Sequence, residues 1–445
     1  MYFDEFKKLS KLAFPFALAQ LAQNTMSLVD TIMVGKLGEE QLAGMAIGSA
    51  TFFFALMIFS GVLYAVNPLV SNALGAGENA QVARIVRQGF WVAAITFVPA
   101  LLLFWNVEAP LRWLGQKADV VERCSGYLRA ISFGLLPALI SVSLRGFLEG
   151  ISDARPIVLI GIFGVAMNVF LNDALMFGRY GLPALGLVGT GIASSIVYTL
   201  IFLVTAAYIF LCRSDYRIFR EIHRPDFEVL GELLRVGIPI CLTVAFEGCL
   251  FTFATFLVGV FPGSSDQLAA HQIALQTASF TFMIPLGIAL ATCVRVGNFA
   301  GGGDREAAHR AGRVGMLTAA VAVIPGIVAF AFFGRQVVGL YIDLSLSEHK
   351  NVLNYGVAFL QIAALFQIID ALQVTASNSL RGLKRTRVAM NLALIAYWLI
   401  GAPVCLLLGF AAGFEGLGIW TGLTVGLAAA AVMLTIRFEL EFRQT

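Results

Sequence analysis

Long apolar runs, each closed by a short polar segment, recur along the whole chain. They occupy roughly 11–34, 46–72, 88–107, 127–148, 156–178, 186–211, 236–260, 270–297, 312–333, 354–379, 387–409 and 416–437. Each holds roughly the 20 residues a helix needs to cross a hydrocarbon core about 30 Å thick. The runs are continuous rather than alternating, which argues against a membrane β-barrel. Lipid cannot hydrogen-bond free backbone groups, so spanning segments of this kind must be helices. The pattern predicts an all-α polytopic membrane protein with twelve transmembrane helices.

Composition agrees. Of 445 residues, 59% are hydrophobic and 13% charged, with a mean hydropathy of +0.84. Soluble domains are about half apolar and a quarter charged. A soluble enzyme, a nucleic-acid-binding domain, a disordered regulator and a disulfide scaffold are all excluded. The six cysteines form no CxxC pair and read as small buried hydrophobes rather than metal ligands. Asp4, Glu5, Lys7, Lys8 and Lys11 precede an apolar run too long for a cleavable signal, so a retained first span is expected.

The net charge is only +3, and the positions of the charges matter more than their sum. If the N-terminus is cytoplasmic, 22 of the 30 Lys and Arg residues fall on inner segments and 8 on outer ones. The bias towards a basic inner side predicts a multi-pass membrane protein with both termini cytoplasmic.

The chain also repeats itself. Asn72–Gly89 reads NALGAGENAQVARIVRQG, and Asn298–Gly315 reads NFAGGGDREAAHRAGRVG, 226 positions later. Pro15-Phe16 and Pro239-Ile240 match at an offset of 224, and Leu144-Arg145-Gly146 and Leu380-Arg381-Gly382 at 236. Six spans per half is an even number, so both halves face the same way. The expected architecture is therefore two six-helix lobes related by a pseudo-twofold axis along the membrane normal. The first lobe is 1–211, the cytoplasmic linker 212–235 and the second lobe 236–445.

Apart from those read as lying in loops or at span ends, the acidic residues are three: Asp30, Glu247 and Asp370. A carboxylate in lipid is costly, so it marks a water-filled cavity and an ion or proton path. At 1.5 Å per residue, Glu247 and Asp370 lie roughly 17 and 14 Å from the inner ends of their spans, a similar depth. Two carboxylates there can share a proton or hold a cation. Their repeat partners are Gln23 and Gly134, so the shared frame does not itself require acids. Asn168 and Asn172, one helical turn apart, lie in the outer half with Thr190, at a depth similar to that of Asp30. Together the four form a hard-oxygen set suited to Na⁺ or to a protonated Asp. His271 begins span eight and is a weaker cavity candidate, with Gln23. The Gly301-Gly302-Gly303 run lacks the lysine of a P-loop and reads as a tight turn. With no nucleotide motif, active transport must draw on an ion gradient, and no cofactor is expected.

Val29-Asp30-Thr31-Ile32-Met33-Val34-Gly35, Ala270-His271-Gln272, Ser379-Leu380-Arg381-Gly382, the twelve spans and the repeat together resemble the MATE (multidrug and toxic compound extrusion) transporters, of the NorM-type bacterial branch. The resemblance covers essentially the whole chain. It implies a cation-coupled antiporter, not an enzyme, expelling cationic or amphipathic organic compounds in exchange for Na⁺ or H⁺ by alternating access. It assigns Asp30, Asn168, Asn172 and Thr190 to an N-lobe cation or proton site, and Glu247 and Asp370 to the C-lobe acidic pair. Na⁺ would fit either set. Phe366 stands where some relatives carry a tyrosine, which removes one oxygen ligand from the C-lobe site. Small organic cations and membrane lipid are the expected partners, without nucleic acid, and the chain is expected to act as a monomer. The alternative is a flippase for lipid-linked sugars or lipids on the same duplicated frame. It would need basic residues within the spans.

Overall fold

The computed structural model describes residues 1–113, 115–261 and 264–443. Helix follows helix throughout. The first half comprises α1 (Tyr2–Gly35), α2 (Glu39–Gly61), α3 (Val66–Gly75), α4 (Asn79–Trp105), α5 (Glu108–Trp113), α6 (Ala118–Ser132), α7 (Leu135–Gly150), α8 (Ala154–Phe177) and α9 (Gly186–Cys212). The second comprises α10 (Phe227–Val258), α11 (Ser264–Gly301), α12 (Arg305–Ala322), α13 (Ile324–Phe332), α14 (Gly334–Val338), α15 (Lys350–Gly382), α16 (Thr386–Leu394), α17 (Ala402–Leu406) and α18 (Glu415–Arg443).

Among the described residues, ten helical stretches are long and apolar enough to cross a membrane. The pair α6 and α7, bent by 53° at Phe133–Gly134, makes an eleventh. α1 is 34 residues long, but Gln20, Gln23, Asn24 and Asp30 make it less apolar than the others. With α1 counted as a span, the twelve expected helices are accounted for. Large apolar side chains such as Ile95, Val98, Leu102, Phe256, Leu399 and Leu407 stay exposed along them, as a lipid-facing surface requires.

The repeat is visible in the geometry of the turns. α3 ends at Gly75 and α11 at Gly301, while α4 starts at Asn79 and α12 at Arg305, all pairs 226 apart. Gly77 and Gly303 have φ of +76° and +79°, the left-handed region that favours glycine and reverses the chain. Asp304 caps α12 by accepting from the Ala307 amide at 2.9 Å. The arginines of the two motifs fasten the same end of each half. Arg84 pairs with Asp226 in the linker at 2.6 Å, and Arg313 with Glu439 near the end of α18 at 2.5 Å.

Two compact units result, and both cross the repeat boundary. One is Ala19–Cys241, and the other is Leu242–Thr445 together with Met1–Leu18. Thus α1 and α10 each divide between the units, at nearly equivalent repeat positions. Each unit closes tightly on the segment it receives. A Cβ on Gly61 would sit 2.6 Å from Cys241 Sγ in the first unit. A Cβ on Gly287 would sit 2.3 Å from the Ala17 backbone nitrogen in the second. These pairs are themselves repeat partners, since 61 and 287 differ by 226 and 17 and 241 by 224. In the second unit the core is built around Leu250, Tyr397, Leu423 and Phe438, with Phe359 and Trp420 in a second cluster. Cys124, Cys293 and Cys405 are buried as expected, but Cys212, at the end of α9, is exposed.

Candidate cation sites in the two units

In the first unit, α1 brings Asp30 against α8. Asn168 and Asn172 stand one turn apart on α8, fully buried, so both amides face the same carboxylate. Asn168 Nδ2 donates to Asp30 Oδ1 at 2.9 Å, and Asn172 Nδ2 donates to the same oxygen at 2.5 Å. Those bonds leave Asn168 Oδ1 and Asn172 Oδ1 buried with no donor among the described residues. A carboxylate beside two donor-less amide oxygens attracts a hard monovalent cation or a proton. Ser194 on α9 is within hydrogen-bonding reach of Asp30, and Tyr127 and Tyr198 stand close enough to feel its charge. Thr190 is fully buried on α9, and its hydroxyl donates to Met176 Sδ at 3.3 Å rather than to Asp30. An open cleft of about 560 Å³ runs along the α1–α8 seam, lined by Val29, Ile32, Met33, Val169 and Asp173 among others. Asp30, Asn168 and Asn172 do not line it, and Lys36 does.

Gln23 lies two turns before Asp30 in a separate network. Arg145 on α7 donates from Nη1 to Gln23 Oε1 at 2.8 Å and from Nη2 to Gln20 Oε1. Its Nε donates to Glu149 Oε1 at 2.9 Å, while Asn67 Nδ2 donates to Glu149 Oε2 at 2.8 Å. The buried Glu149 carboxylate is thus fully met, and α1 is tied to α7 just past the point where it enters this unit.

In the second unit, α10 carries Glu247 and α15 carries Asp370, which is 6% exposed. The two carboxylates are close enough for each charge to act on the other, and the Arg381 charge also reaches Glu247. Between α16 and α17 the chain winds as a π-helix over Ile395–Gly401. Such wide turns are frequent at functional sites, and this one points Tyr397 inward, fully buried. Gln373 Nε2 donates to Tyr397 Oη at 2.7 Å, and Tyr397 Oη donates to Glu247 Oε2 at 3.4 Å. Asp370 Oδ1 and Gln373 Oε1 are left buried without donors among the described residues. Tyr397 thus brings a hydroxyl beside Glu247 from a helix separate from those of the two acids.

Phe366 and His271 belong to an aromatic cluster around Trp420. The Phe366 ring lies 6.0 Å from that of Phe251 and 6.3 Å from that of Trp420. His271 is fully buried, and its Nδ1 accepts from Trp420 Nε1 at 3.0 Å. Indole N–H only donates, so the imidazole proton sits on Nε2, which meets Thr255 Oγ1 at 3.0 Å. The Thr255 hydroxyl in turn donates to the Phe251 carbonyl at 3.0 Å. His271 is a neutral joint between α10, α11 and α18, with both nitrogens occupied.

Four parts of these sites were absent from the sequence-based set: Ser194, Gln373, Tyr397 and the Arg145 network. The π-helical turn leaves no periodic signal. Gln373, three residues after Asp370, was the one detectable from helical spacing.

Comparison with known proteins places these features in context. The MatE family model matches residues 15–173 and again 239–407, so it recognises each half of the repeat separately. "Probable multidrug resistance protein NorM" of Agrobacterium fabrum is 39% identical over 441 residues, 99% of this chain and 94% of that protein. The protein of the same description from Pseudomonas aeruginosa is 37% identical, over 98% of this chain and 89% of its own. Among solved structures, the eukaryotic MATE transporter AtDTX14 superposes with a TM-score of 0.87 at 26% identity, covering 99% of this chain and 96% of that one. On the strength of both repeat halves and of full-length relatives, this chain is a multi-pass membrane protein that belongs to the MatE family.

Proposed function

We propose that this protein is a secondary active multidrug efflux antiporter of a bacterial inner membrane. It exchanges cationic or amphipathic organic compounds for inward-moving Na⁺ or H⁺ by alternating access, with both termini cytoplasmic and the monomer as the working unit. The repeat halves 1–211 and 236–445 are the lobes, and 212–235 is the linker. The relatives' multidrug-resistance names support the substrate class. One observation carries the ion-coupling mechanism: both units hold carboxylates on spanning helices beside buried amide oxygens that have no donor among the described residues.

Such oxygens favour any cation that can reach them, whether inorganic or organic. A drug cation and a coupling ion therefore compete, and each releases the other as the accessible side changes. Asp30 acts as the switch of the first site, held by Asn168 and Asn172, with Ser194 beside it and Thr190 buried behind. Glu247 and Asp370 act as the exchanging acids of the second. The flippase alternative needs an excess of basic charge at mid-span; this chain carries acids there, and Arg145, which reaches Gln20 and Gln23, is paired with Glu149.

The test is drug uptake into inside-out vesicles under imposed Na⁺ or H⁺ gradients. Asp370→Asn, Glu247→Gln and Asp30→Asn should each reduce gradient-driven uptake by tenfold or more, roughly the loss of 1.4 kcal/mol of coupling. Wild-type uptake by all three variants rules the reading out.

A further inference from the structure

α15 carries a column of oxygens that the acidic pair does not account for. Asp370 Oδ1, Gln373 Oε1 and Ser377 Oγ are all buried with no hydrogen-bond partner among the described residues. Their residues are 6%, 2% and 2% exposed. Positions i, i+3 and i+7 share one helical face, so the three atoms belong to one line along the helix. Seven residues at 1.5 Å each make that line roughly 10 Å long.

This is not the ordinary behaviour of polar residues on α15. Thr375 and Ser379 donate to the carbonyls of Ala371 and Thr375, and Asn378 Nδ2 donates to the Val374 carbonyl. Only the face that begins at Asp370 leaves its oxygens unmet among these neighbours. Gln373 is held in that state. Its amide nitrogen is occupied by Tyr397 Oη at 2.7 Å, so the carbonyl oxygen must face elsewhere. The repeat supplies a control. The equivalents of Asp370, Gln373 and Ser377, 236 positions earlier, are Gly134, Pro137 and Ser141. There the Ser141 hydroxyl donates to the Pro137 carbonyl at 2.8 Å. The frame folds without such a column in its first half.

We infer that Gln373 and Ser377 extend the second-unit site along α15, forming with Asp370 a track of oxygen ligands for the coupling cation, and that Tyr397 positions Gln373 to present its carbonyl. The ligand is a small monovalent cation, Na⁺ or hydronium, since a carboxylate, an amide oxygen and a hydroxyl are hard neutral or singly charged donors. The drug competes at the acidic pair and does not extend along the column beyond it, where Gln373 and Ser377 are each 2% exposed. The inference rests on the antiport reading above and specifies how the ion is held there.

The test uses purified full-length protein in proteoliposomes, with ethidium as the organic cation. Drug efflux is measured against Na⁺ and H⁺ concentration, and ethidium affinity is measured separately in the absence of Na⁺ at fixed pH. Gln373→Leu and Ser377→Ala should raise the half-saturating cation concentration roughly tenfold, equivalent to about 1.4 kcal/mol per lost ligand. Ethidium affinity should stay within about twofold of wild type. Tyr397→Phe should shift the cation dependence the same way, and Tyr397→Phe/Gln373→Leu should be no worse than Gln373→Leu, because the two act as one unit. Gln373→Asn, which keeps the amide, should recover part of the loss. If Tyr397→Phe does not fold, Gln373→Leu and Ser377→Ala decide the matter. Unchanged cation dependence in both, with Glu247→Gln and Asp370→Asn inactive, overturns the track and leaves the antiporter standing. A parallel fall in cation and ethidium affinity overturns it as well, since that is a structural loss. Normal exchange by Glu247→Gln and Asp370→Asn overturns the antiport reading itself.

Discussion

Asp30 receives two amide hydrogens on one oxygen, and that fixes what its variants should do. Asn at position 30 keeps a carbonyl oxygen for Asn168 and Asn172 while losing the charge, so Asp30→Asn should fold normally and fail only in coupling. Asn172→Ala is the opposite case. It removes one of the two asparagine donors from a buried carboxylate, a loss of about 1–3 kcal/mol. Thermal melting in detergent should show Asn172→Ala several degrees below wild type and Asp30→Asn close to it. His271 is different again. Both of its nitrogens are spoken for, so His271→Ala removes two hydrogen bonds and opens a cavity under Trp420. A loss of about 2–5 kcal/mol is expected, with the drug affinity of the surviving folded fraction unchanged. An affinity change without a stability change would instead place His271 in a binding cavity.

At this scale the sequence was informative about which polar side chains the apolar runs carry and uninformative about how they meet. An acid in an apolar run stands out by its cost alone, so Asp30, Glu247 and Asp370 were visible. Asn168 and Asn172 were visible through their shared helical face. Tyr397 was not, because its role depends on a π-helical turn that brings it to Glu247, 150 positions away. Thr190, chosen by depth, turned out to face the Met176 sulfur, since depth along the membrane says nothing about direction around the helix.

Among the elements, the long apolar runs predicted spanning helices well and their interruptions poorly. The 53° bend at Phe133–Gly134 falls inside what reads as one apolar run. Pro137 has no amide hydrogen for the Phe133 carbonyl, which breaks the helix there, and a Cβ on Gly134 would lie 2.5 Å from the Ser195 Cα, so α7 and α9 meet with no room for a side chain. The same kind of contact supports a prediction at the crossing helices. Gly287→Ala would drive a Cβ into the Ala17 backbone at 2.3 Å, whereas Gly61→Ala meets the Cys241 side chain at 2.6 Å. Backbone cannot move aside as a side chain does. Gly287→Ala should therefore be the more damaging, by roughly 1–3 kcal/mol, read as melting temperature or as the yield of monodisperse protein. Equal tolerance would show that the two crossings are looser than these distances require.

The linker offers an element-scale prediction with a pH sign. Burial pushes the Asp226 carboxyl up, but the Arg84 guanidinium and the Val229 amide outweigh it and hold it below the usual carboxylate range. A carboxyl lowered on folding contributes stability above its unfolded value of about 3.9 and loses it only as pH falls through the lower folded value. The clasp should hold unchanged from pH 8 to pH 5. Asp226→Asn should expose Arg217, Arg220 and Arg224 to trypsin several-fold faster, while wild-type cleavage susceptibility stays flat after correction for the protease's own pH dependence.

For the molecule as a whole, the duplication is the governing fact. Turn positions, crossing glycines and motif arginines repeat across the halves, because they build the frame. The buried acids do not repeat: Gln23 stands opposite Glu247, and Gly134 opposite Asp370. The frame is common property, and the charged chemistry was placed on it separately in each half. In the first half, Arg145 is neutralised by Glu149 on its own helix and ties down Gln20 and Gln23. In the second, the position equivalent to Glu149 is Arg385, and the Arg381 charge reaches Glu247. The halves thereby hold their buried charges in different ways, and the proposed exchange has each answer differently to an arriving cation.

The most direct test of that account is cation release on drug binding. Purified protein in weakly buffered detergent solution is titrated with ethidium while a pH electrode and a Na⁺ electrode record the free ions. The account predicts that drug binding expels H⁺ or Na⁺ from the wild type, and that Asp30→Asn/Glu247→Gln/Asp370→Asn expels neither. Drug binding to the wild type with no ion released, or the same release from the triple variant, would contradict it.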